Sequence, residues 1–334
     1  MTGTRLALSI VIPVYNGARS IGELVAALER LDVPGGHEII LVNDGSPDES
    51  PAVCRALVER ARVPMTLVNH ARNYGEHNAV MSGLRLARGE HVITMDDDLQ
   101  NPPGEVVRLL RHAQDTGSDV IYTRYAEKHH EPWRNLGSRF TNRVADFVLE
   151  KPKGLYLSSF RCMTAFVVKA VTDYEGPFPY IDGLIMQVTQ SIGQLEVEHF
   201  PRATGGSNYT MRRLVRLWMN MFVNFSVMPL RLSTLTGFGL SLLGIFGFAW
   251  VVSETFFHET PPGWASLSAA VLLLSGVQLL ILGLIGEYLG RLYLTLNRKP
   301  QAIVRDVVRS EPNDRPGRVA AERSADNIIA VRPA

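Results

Sequence analysis

Residues 8–16, LSIVIPVYN, read as a buried strand that stops at a Pro and Asn-Gly break, and the fold can be read outward from them. SIGELVAALERL (20–31) then places apolar residues at helical spacing behind a Ser cap. HEIILVNDGSPDES (37–50) repeats the strand-then-turn pattern, and PAVCRALVERA (51–61) follows as a helix with Pro at its start. MTLVNH (65–70) is a third strand, GEHNAVMSGLRLA (75–87) a third helix, and HVITMDDD (91–98) a fourth strand that runs into acid. Four alternations of strand and helix predict an α/β domain whose mostly parallel sheet carries helices on both faces, with ligands at the carboxyl ends of the strands.

The polar clusters fall at those ends: Tyr15 and Asn16, Asn43 and Asp44, Arg72 and Asn73, and Asp96 to Asp98. No GxGxxG fingerprint occupies the first turn and no GxxxxGK[ST] phosphate loop occurs. Three adjacent carboxylates repel one another unless a cation or hydrogen bonds compensate. An acidic rim without a backbone phosphate cradle suits a divalent metal that neutralises a diphosphate. The plainer alternative is an Asp-rich turn capping the helix that starts at Pro102 and Pro103.

The 34 Lys and Arg nearly balance 33 Asp and Glu, so no overall basic field points to a nucleic-acid partner. Cys54 and Cys162 match neither a CxxC pair nor a zinc framework and read as small apolar side chains. The N-terminus has no targeting signature and reads as the start of a cytosolic domain spanning 1–208.

Composition changes after residue 231. Residues 233–257 contain one charge, Glu254, and the core of 266–289 has none up to Glu287. As helices each reaches roughly 30 Å or more at ~1.5 Å per residue, the thickness of a bilayer's hydrocarbon core. A two-helix transmembrane hairpin over 233–290 is the reading, with a pair of helices buried in a soluble core as the alternative. Arg212, Arg213, Arg216 and Arg231 before the hairpin, and Arg291, Arg298 and Lys299 after it, place both flanks in the cytoplasm of a multi-pass protein of the inner or plasma membrane. Residues 209–232 interleave arginines with Leu214, Trp218 and Met221 as an amphipathic juxtamembrane helix at the interface, or as a plain surface helix. The cytosolic tail, 291–334, lacks a sustained apolar period past 305 and reads as disordered or loosely docked.

The motifs SIVIPVYNG, ILVNDGSPDES, RNYGEHNAVMSGL, MDDDLQNPP and GLIGEYLGRLY together resemble the family 2 glycosyltransferases. Within them they are most similar to the polyprenyl-phosphate glycosyltransferases, which include the dolichol-phosphate mannose synthases and the undecaprenyl-phosphate 4-deoxy-4-formamido-L-arabinose transferases. The resemblance spans residues 6–305 and implies a GT-A fold, a nucleotide-sugar donor, Mg²⁺ or Mn²⁺, a polyprenyl phosphate acceptor at the membrane and a homo-oligomer, tetrameric in that family. By position it implies that Pro13, Tyr15 and Asn16 line the base, that Asp44 contacts base or ribose, and that Arg72 and Gly75 belong to the donor site. Asp96 and Asp98 take the two DxD positions, Asp96 facing ribose and diphosphate as well as metal, Asp98 binding metal, with Gln100 reaching the metal directly or through water. Relatives often have Asp-Asp at Asn43-Asp44, Ala at Asp97, and an acid at Ser159.

A phosphate monoester acceptor is largely ionised at neutral pH and needs no general base, only cations that hold it near the anomeric carbon. The segment 120–144 supplies Arg124, Lys128, Arg134, Arg139 and Arg143. The resemblance assigns phosphate contacts to Arg124, Arg134 and Ser138, with Arg139 a rival to Arg134. His129 and His130 lack a third ligand at metal spacing and read as loop residues. His77 sits near the rim, and FPYIDGLIMQ around Asp182 reads as a sugar-facing segment. The expected activity is inverting, metal-dependent transfer of one sugar to a lipid phosphate. The rivals are a processive polysaccharide synthase, which would want a Q-x-x-R-W motif that is absent, and a non-catalytic membrane scaffold binding a nucleotide sugar.

Overall fold

The computed structural model describes residues 6–125, 155–198, 263–296, 300–310 and 320–322, together with the isolated residues 239 and 246. The chain divides into two units, Met1–Tyr209 with Arg298–Ala334, and Thr210–Asn297.

The first unit is built on a nine-stranded sheet. Its strands are β1 (Leu8–Val14), β2 (His37–Asn43), β3 (Met65–His70), β4 (His91–Thr94), β5 (Val120–Tyr125), β6 (Arg161–Thr164), β7 (Ile192–Val197), β8 (Val304–Ser310) and β9 (Ala320–Glu322). Their spatial order is β7-β5-β6-β4-β1-β2-β3-β8-β9. The centre, β4-β1-β2-β3, is parallel, as the alternation predicts; β6 and β8 pair antiparallel on either side of it. Between the strands lie α1 (Ile21–Leu28), α2 (Ser50–Glu59), α3 (Glu76–Leu84), α4 (Gly104–Thr116), α5 (Ala165–Thr172) and α6 (Ile181–Val188).

The strands covered on both faces are continuous apolar runs: Leu8, Ile10, Val11 and Ile12 in β1, and Ile39 to Val42 in β2, are fully buried. Pro13 sits in this central strand at no cost to the ladder. Its missing N–H would face the side on which Val11 O accepts from Met95 N, and β4 pairing stops there, at Val11 opposite Thr94. α4 ends at Gly117, whose φ of 62° is a left-handed cap.

The tail differs from the sequence expectation. Residues 304–310 form β8, paired antiparallel with β3 from Met65↔Ser310 to Asn69↔Asp306. Periodicity does not show this strand because the buried Val308 is its chief apolar anchor. Polar bonds add to its register, with Asp306 Oδ2 accepting from Arg55 Nη2 at 2.7 Å and from Asn69 Nδ2 at 3.2 Å.

In the second unit, α7 (Trp264–Leu296) is a 33-residue run of helical backbone that contains the predicted second span. Counting only the side chains that are described, no helix is long and apolar enough to cross a membrane. The amphipathic segment 209–232 and the first span, 233–257, lie outside the described residues apart from the isolated Gly239 and Phe246.

Candidate active site

The carboxyl ends of β1 to β4 form one rim, and the antiparallel β6 brings its amino end to the same edge, with Thr94 opposite Arg161. Tyr15, Asn16, Asp44, Arg72, Gly75, Asp96, Asp98 and Gln100 all follow strand ends on this rim. Arg134 and Ser138 lie outside the described residues, as do Lys128, Arg139 and Arg143.

The turn after β1 puts Asn16 in the left-handed region, at φ 58°. Its N–H donates to Ser46 Oγ at 3.3 Å, and Ser46 N donates to Asn43 Oδ1 at 3.1 Å, so the first two turns are tied together. Asn43 also donates from Nδ2 to Asn69 Oδ1 at 2.9 Å. Its amide needs both functions, donor and acceptor, which an ionised Asp at this position lacks.

Asp44 is 2% exposed, and its oxygens hold the β3–α3 loop. Oδ1 accepts from Tyr74 N at 2.9 Å and pairs with His70 Nδ1 at 2.8 Å, while Oδ2 accepts from Gly75 N at 2.8 Å. His70 Nε2 in turn bonds Ser82 Oγ at 2.9 Å. The structure thus gives Asp44 a loop-anchoring part that the sequence did not reveal. The loop it anchors carries Arg72, whose guanidinium carbon lies 4.7 Å from the Tyr74 ring centroid, and ends at Gly75 with φ 97° and ψ 155°, a conformation that favours glycine.

The acidic triplet alternates. Asp96 Oδ2 accepts from Ser159 Oγ at 2.6 Å, and Asp98 Oδ1 accepts from Gln100 N at 3.2 Å in a tight local turn. Leu99, between them, is held at φ 61°. Asp97 instead turns under the β1 loop, where the Tyr15 N–H bonds it, and its buried Oδ2 has no partner among the described residues. Burial, then the neighbouring Asp96 and Asp98, push its carboxyl up to about 7. A Cβ on Gly17 would collide with that Oδ2 and lie 3.2 Å from Val14 Cγ1. Gly17→Ala is therefore expected to displace the triplet, lowering the activity of the site about tenfold and the melting temperature by several degrees; steady-state kinetics beside a thermal melt check this.

Beneath the rim lies a buried polar cluster. Arg161, 3% exposed, pairs with Asp182 Oδ1, bonds Thr94 Oγ1 from Nε at 3.3 Å and lies over the Tyr122 ring. Tyr122 Oη donates to the same Asp182 oxygen at 2.8 Å. Asp182, expected to face the sugar, is thus 8% exposed and committed to Arg161 and Tyr122. Burial alone would lower the Arg161 pKa, but Asp182, Tyr122 and Glu76 hold it raised and the guanidinium charged.

Glu76 opens α3 on the rim. Desolvation and the carboxylates of Asp96, Asp182 and Asp97 push its carboxyl upward, against Arg161, at a residue that is itself exposed on the rim. His77 next to it meets Tyr180 edge to face at 5.1 Å. Burial brings the His77 pKa down to about 4, with Arg161 adding to the drop and Asp182 opposing it. An unfolded imidazole takes its proton near pH 6.5, so this group's stabilisation is complete above that pH and is lost as pH falls toward 4. His77→Gln should flatten the acid limb of a stability–pH curve by on the order of 2 kcal/mol, read from melts between pH 4 and 7.

Arg124 follows Tyr122 by two residues and so shares its face of β5. It is exposed and pairs with Glu196 of β7 at 2.6 Å. An exposed pair of this kind contributes little and exchanges readily for another anion.

Two family models match the chain: Glycosyl transferase family 2 over residues 9–172, and the GtrB C-terminal hairpin over 228–292. An undecaprenyl-phosphate 4-deoxy-4-formamido-L-arabinose transferase of Pseudomonas aeruginosa is 34% identical over 327 residues, 92% of each chain. A protein of the same name from Edwardsiella ictaluri is 33% identical over 92% of this chain and 96% of its own. Among solved structures, glucosyl-3-phosphoglycerate synthase from Mycobacterium tuberculosis, in complex with Mn²⁺, UDP and glucosyl-3-phosphoglycerate, aligns with TM-score 0.48 and 19% identity over 66% of this chain and 78% of that one. TarS of S. aureus in complex with UDP-GlcNAc aligns with TM-score 0.46 and 18% identity over 66% and 68%.

Proposed function

The chain belongs to glycosyl transferase family 2, and we propose that it moves a single sugar from a nucleotide-sugar donor to undecaprenyl phosphate at the cytoplasmic face of the membrane, with inversion at the anomeric carbon. The observation that carries this reading is the reach of the likeness. It covers 92% of both chains, hairpin region included, against an enzyme named for a lipid-phosphate acceptor. The membrane placement draws on the sequence of 266–289 and its arginine-flanked neighbours, and on the matched hairpin.

The rim fits a hard divalent cation, Mg²⁺ or Mn²⁺. Asp96, Asp98 and Gln100 offer oxygen donors at alternate positions in sequence, and Ser159 orients the first of them. Among the described residues no group of three or more His, Cys, Asp or Glu could hold a metal ion by itself. One or two carboxylates completed by phosphate oxygens and water is the arrangement that suits Mg²⁺. Asp96 and Asp98 would hold the ion, which when bound offsets negative charge on the departing nucleoside diphosphate.

The chain's own residues then have distinct tasks. Pro13, Tyr15 and Asn16 line the base side of the donor, and Asp44 fixes the loop that presents Arg72 and Gly75 to it. Asp97, turned under the β1 loop, supports the triplet from behind. Arg124, released from Glu196, meets the acceptor phosphate together with Arg134 and Ser138. Because that phosphate arrives ionised, these cations need only orient it in line with the anomeric carbon.

The test is transfer of labelled sugar into organic-extractable lipid by the purified full chain, with undecaprenyl phosphate, Mg²⁺ or Mn²⁺ and a panel of nucleotide sugars. Lipid-linked product that EDTA removes supports the reading. Nucleotide-sugar binding without any lipid product would replace it with a donor-binding scaffold.

A further inference from the structure

One short segment, residues 301–306, is bonded to two loops of the rim. Gln301 is 7% exposed and its whole amide is engaged. Nε2 donates to the carbonyls of Tyr174 and Gly176 at 2.8 Å each, and Oε1 accepts from Arg85 Nη2 at 2.8 Å. Tyr174 and Gly176 belong to the connection between α5 and α6, which runs on to Tyr180 against His77 and to Asp182 above Arg161.

The next residues grip the β3–α3 loop. Ala71 N donates to Ile303 O at 2.9 Å, and Arg305 Nη2 donates to Ala71 O at 3.3 Å. Asp306 holds Asn69 and Arg55 as described above, and Asn69 passes the contact on to Asn43. Ala71 immediately precedes Arg72. The two loops therefore share one clamp, and Tyr180, at the end of one, meets His77 in the first turn of α3, into which the other leads.

Covering the edge of β3 requires only the backbone ladder. Gln301 precedes that ladder and adds nothing to it, yet burying an amide is unfavourable unless every donor and acceptor is matched. A fully satisfied buried network of this kind specifies one arrangement of the groups it joins. We infer that residues 301–306 are positioning residues of the donor site: Gln301 sets the α5–α6 connection, while Ile303, Arg305 and Asp306 set the loop bearing Arg72. This rests on the donor reading proposed above, and it places determinants of nucleotide-sugar affinity beyond α7 in the chain.

The experiment uses the full chain in detergent or nanodiscs and measures donor KM, acceptor KM, kcat and calorimetric donor binding. Gln301→Ala and Asp306→Ala are expected to raise donor KM about five- to tenfold, with kcat and acceptor KM unchanged. Asp306→Asn still accepts both N–H bonds and restores the donor KM. Gln301→Glu cannot donate to the two carbonyls and behaves like the alanine variant. Arg305→Ala, at an exposed position, leaves folding intact and gives a smaller rise of about twofold. Unchanged donor KM in the alanine variants and in Arg305→Ala overturns the inference, as does a fall of apparent kcat in proportion to lost folded protein with both KM values unchanged. A wild-type chain that neither binds nor uses any nucleotide sugar defeats the donor reading itself and this inference with it.

Discussion

Replacing Asp98 by alanine is expected to lower sugar transfer roughly 10³-fold, the scale seen when a group stabilising charge in the transition state is removed. The alternation of the triplet makes the expectation specific. Asp98 bonds the Gln100 N–H on the rim side, whereas Asp97 lies under Tyr15 and Gly17. Asp97→Asn preserves shape and the contact to the β1 loop, so it should keep activity within a few-fold of wild type. The pair is read by steady-state transfer assays at saturating Mg²⁺ or Mn²⁺, with a melt to verify folding. Equal losses at 97 and 98 would show that the triplet acts as one acidic patch and that the alternation has no chemical meaning.

Breaking the buried pair below the rim should have the largest effect on stability. Asp182→Ala leaves the Arg161 guanidinium, 3% exposed, without its carboxylate and Tyr122 without its acceptor. An unpaired buried charge costs about 3–5 kcal/mol. Such a loss is a large share of a typical domain's net stability, so the single variant should melt well below wild type or fail to accumulate. Arg161→Met combined with Asp182→Leu removes the charge along with its partner and should recover most of the melting temperature. Activity should stay low in the double variant, because Thr94 and the α6 end of the rim lose their common anchor. A single variant as stable as wild type would mean that water or another carboxylate serves Arg161 equally well.

Much of the rim was legible because its residues are local to strand ends. LSIVIPVYN, ILVNDGS and VITMDDD each announce a buried strand and then a polar break, and parallel topology brings such breaks to one edge. Pairing across long sequence distances is what the sequence hid. β6 is four residues long, and of its side chains only Cys162 and Met163 supply apolar anchors, so no period reveals that Ser159 reaches Asp96 and Arg161 reaches Asp182. The order Asp182, Arg161, Tyr122 mixes three elements, and each residue alone looks like an ordinary surface group. Asp44 was legible as a rim residue but not as a loop anchor, because the groups it holds in that loop are the backbone N–H groups of Tyr74 and Gly75, which no side-chain motif encodes. β8 was missed because polar bonds, with few apolar anchors, hold its register.

The partner of Asn69 in β8 is 237 residues further along the chain, which orders the protein's biogenesis. When β1 to β4 have left the ribosome, β3 is still an open edge with unpaired backbone groups, a template for stray association. It is closed only after the whole second unit, Thr210–Asn297, has been synthesised. A nascent chain stalled in that unit would therefore carry a nearly complete rim on an unsealed sheet, exposed to chaperones and proteases for as long as the stall lasts.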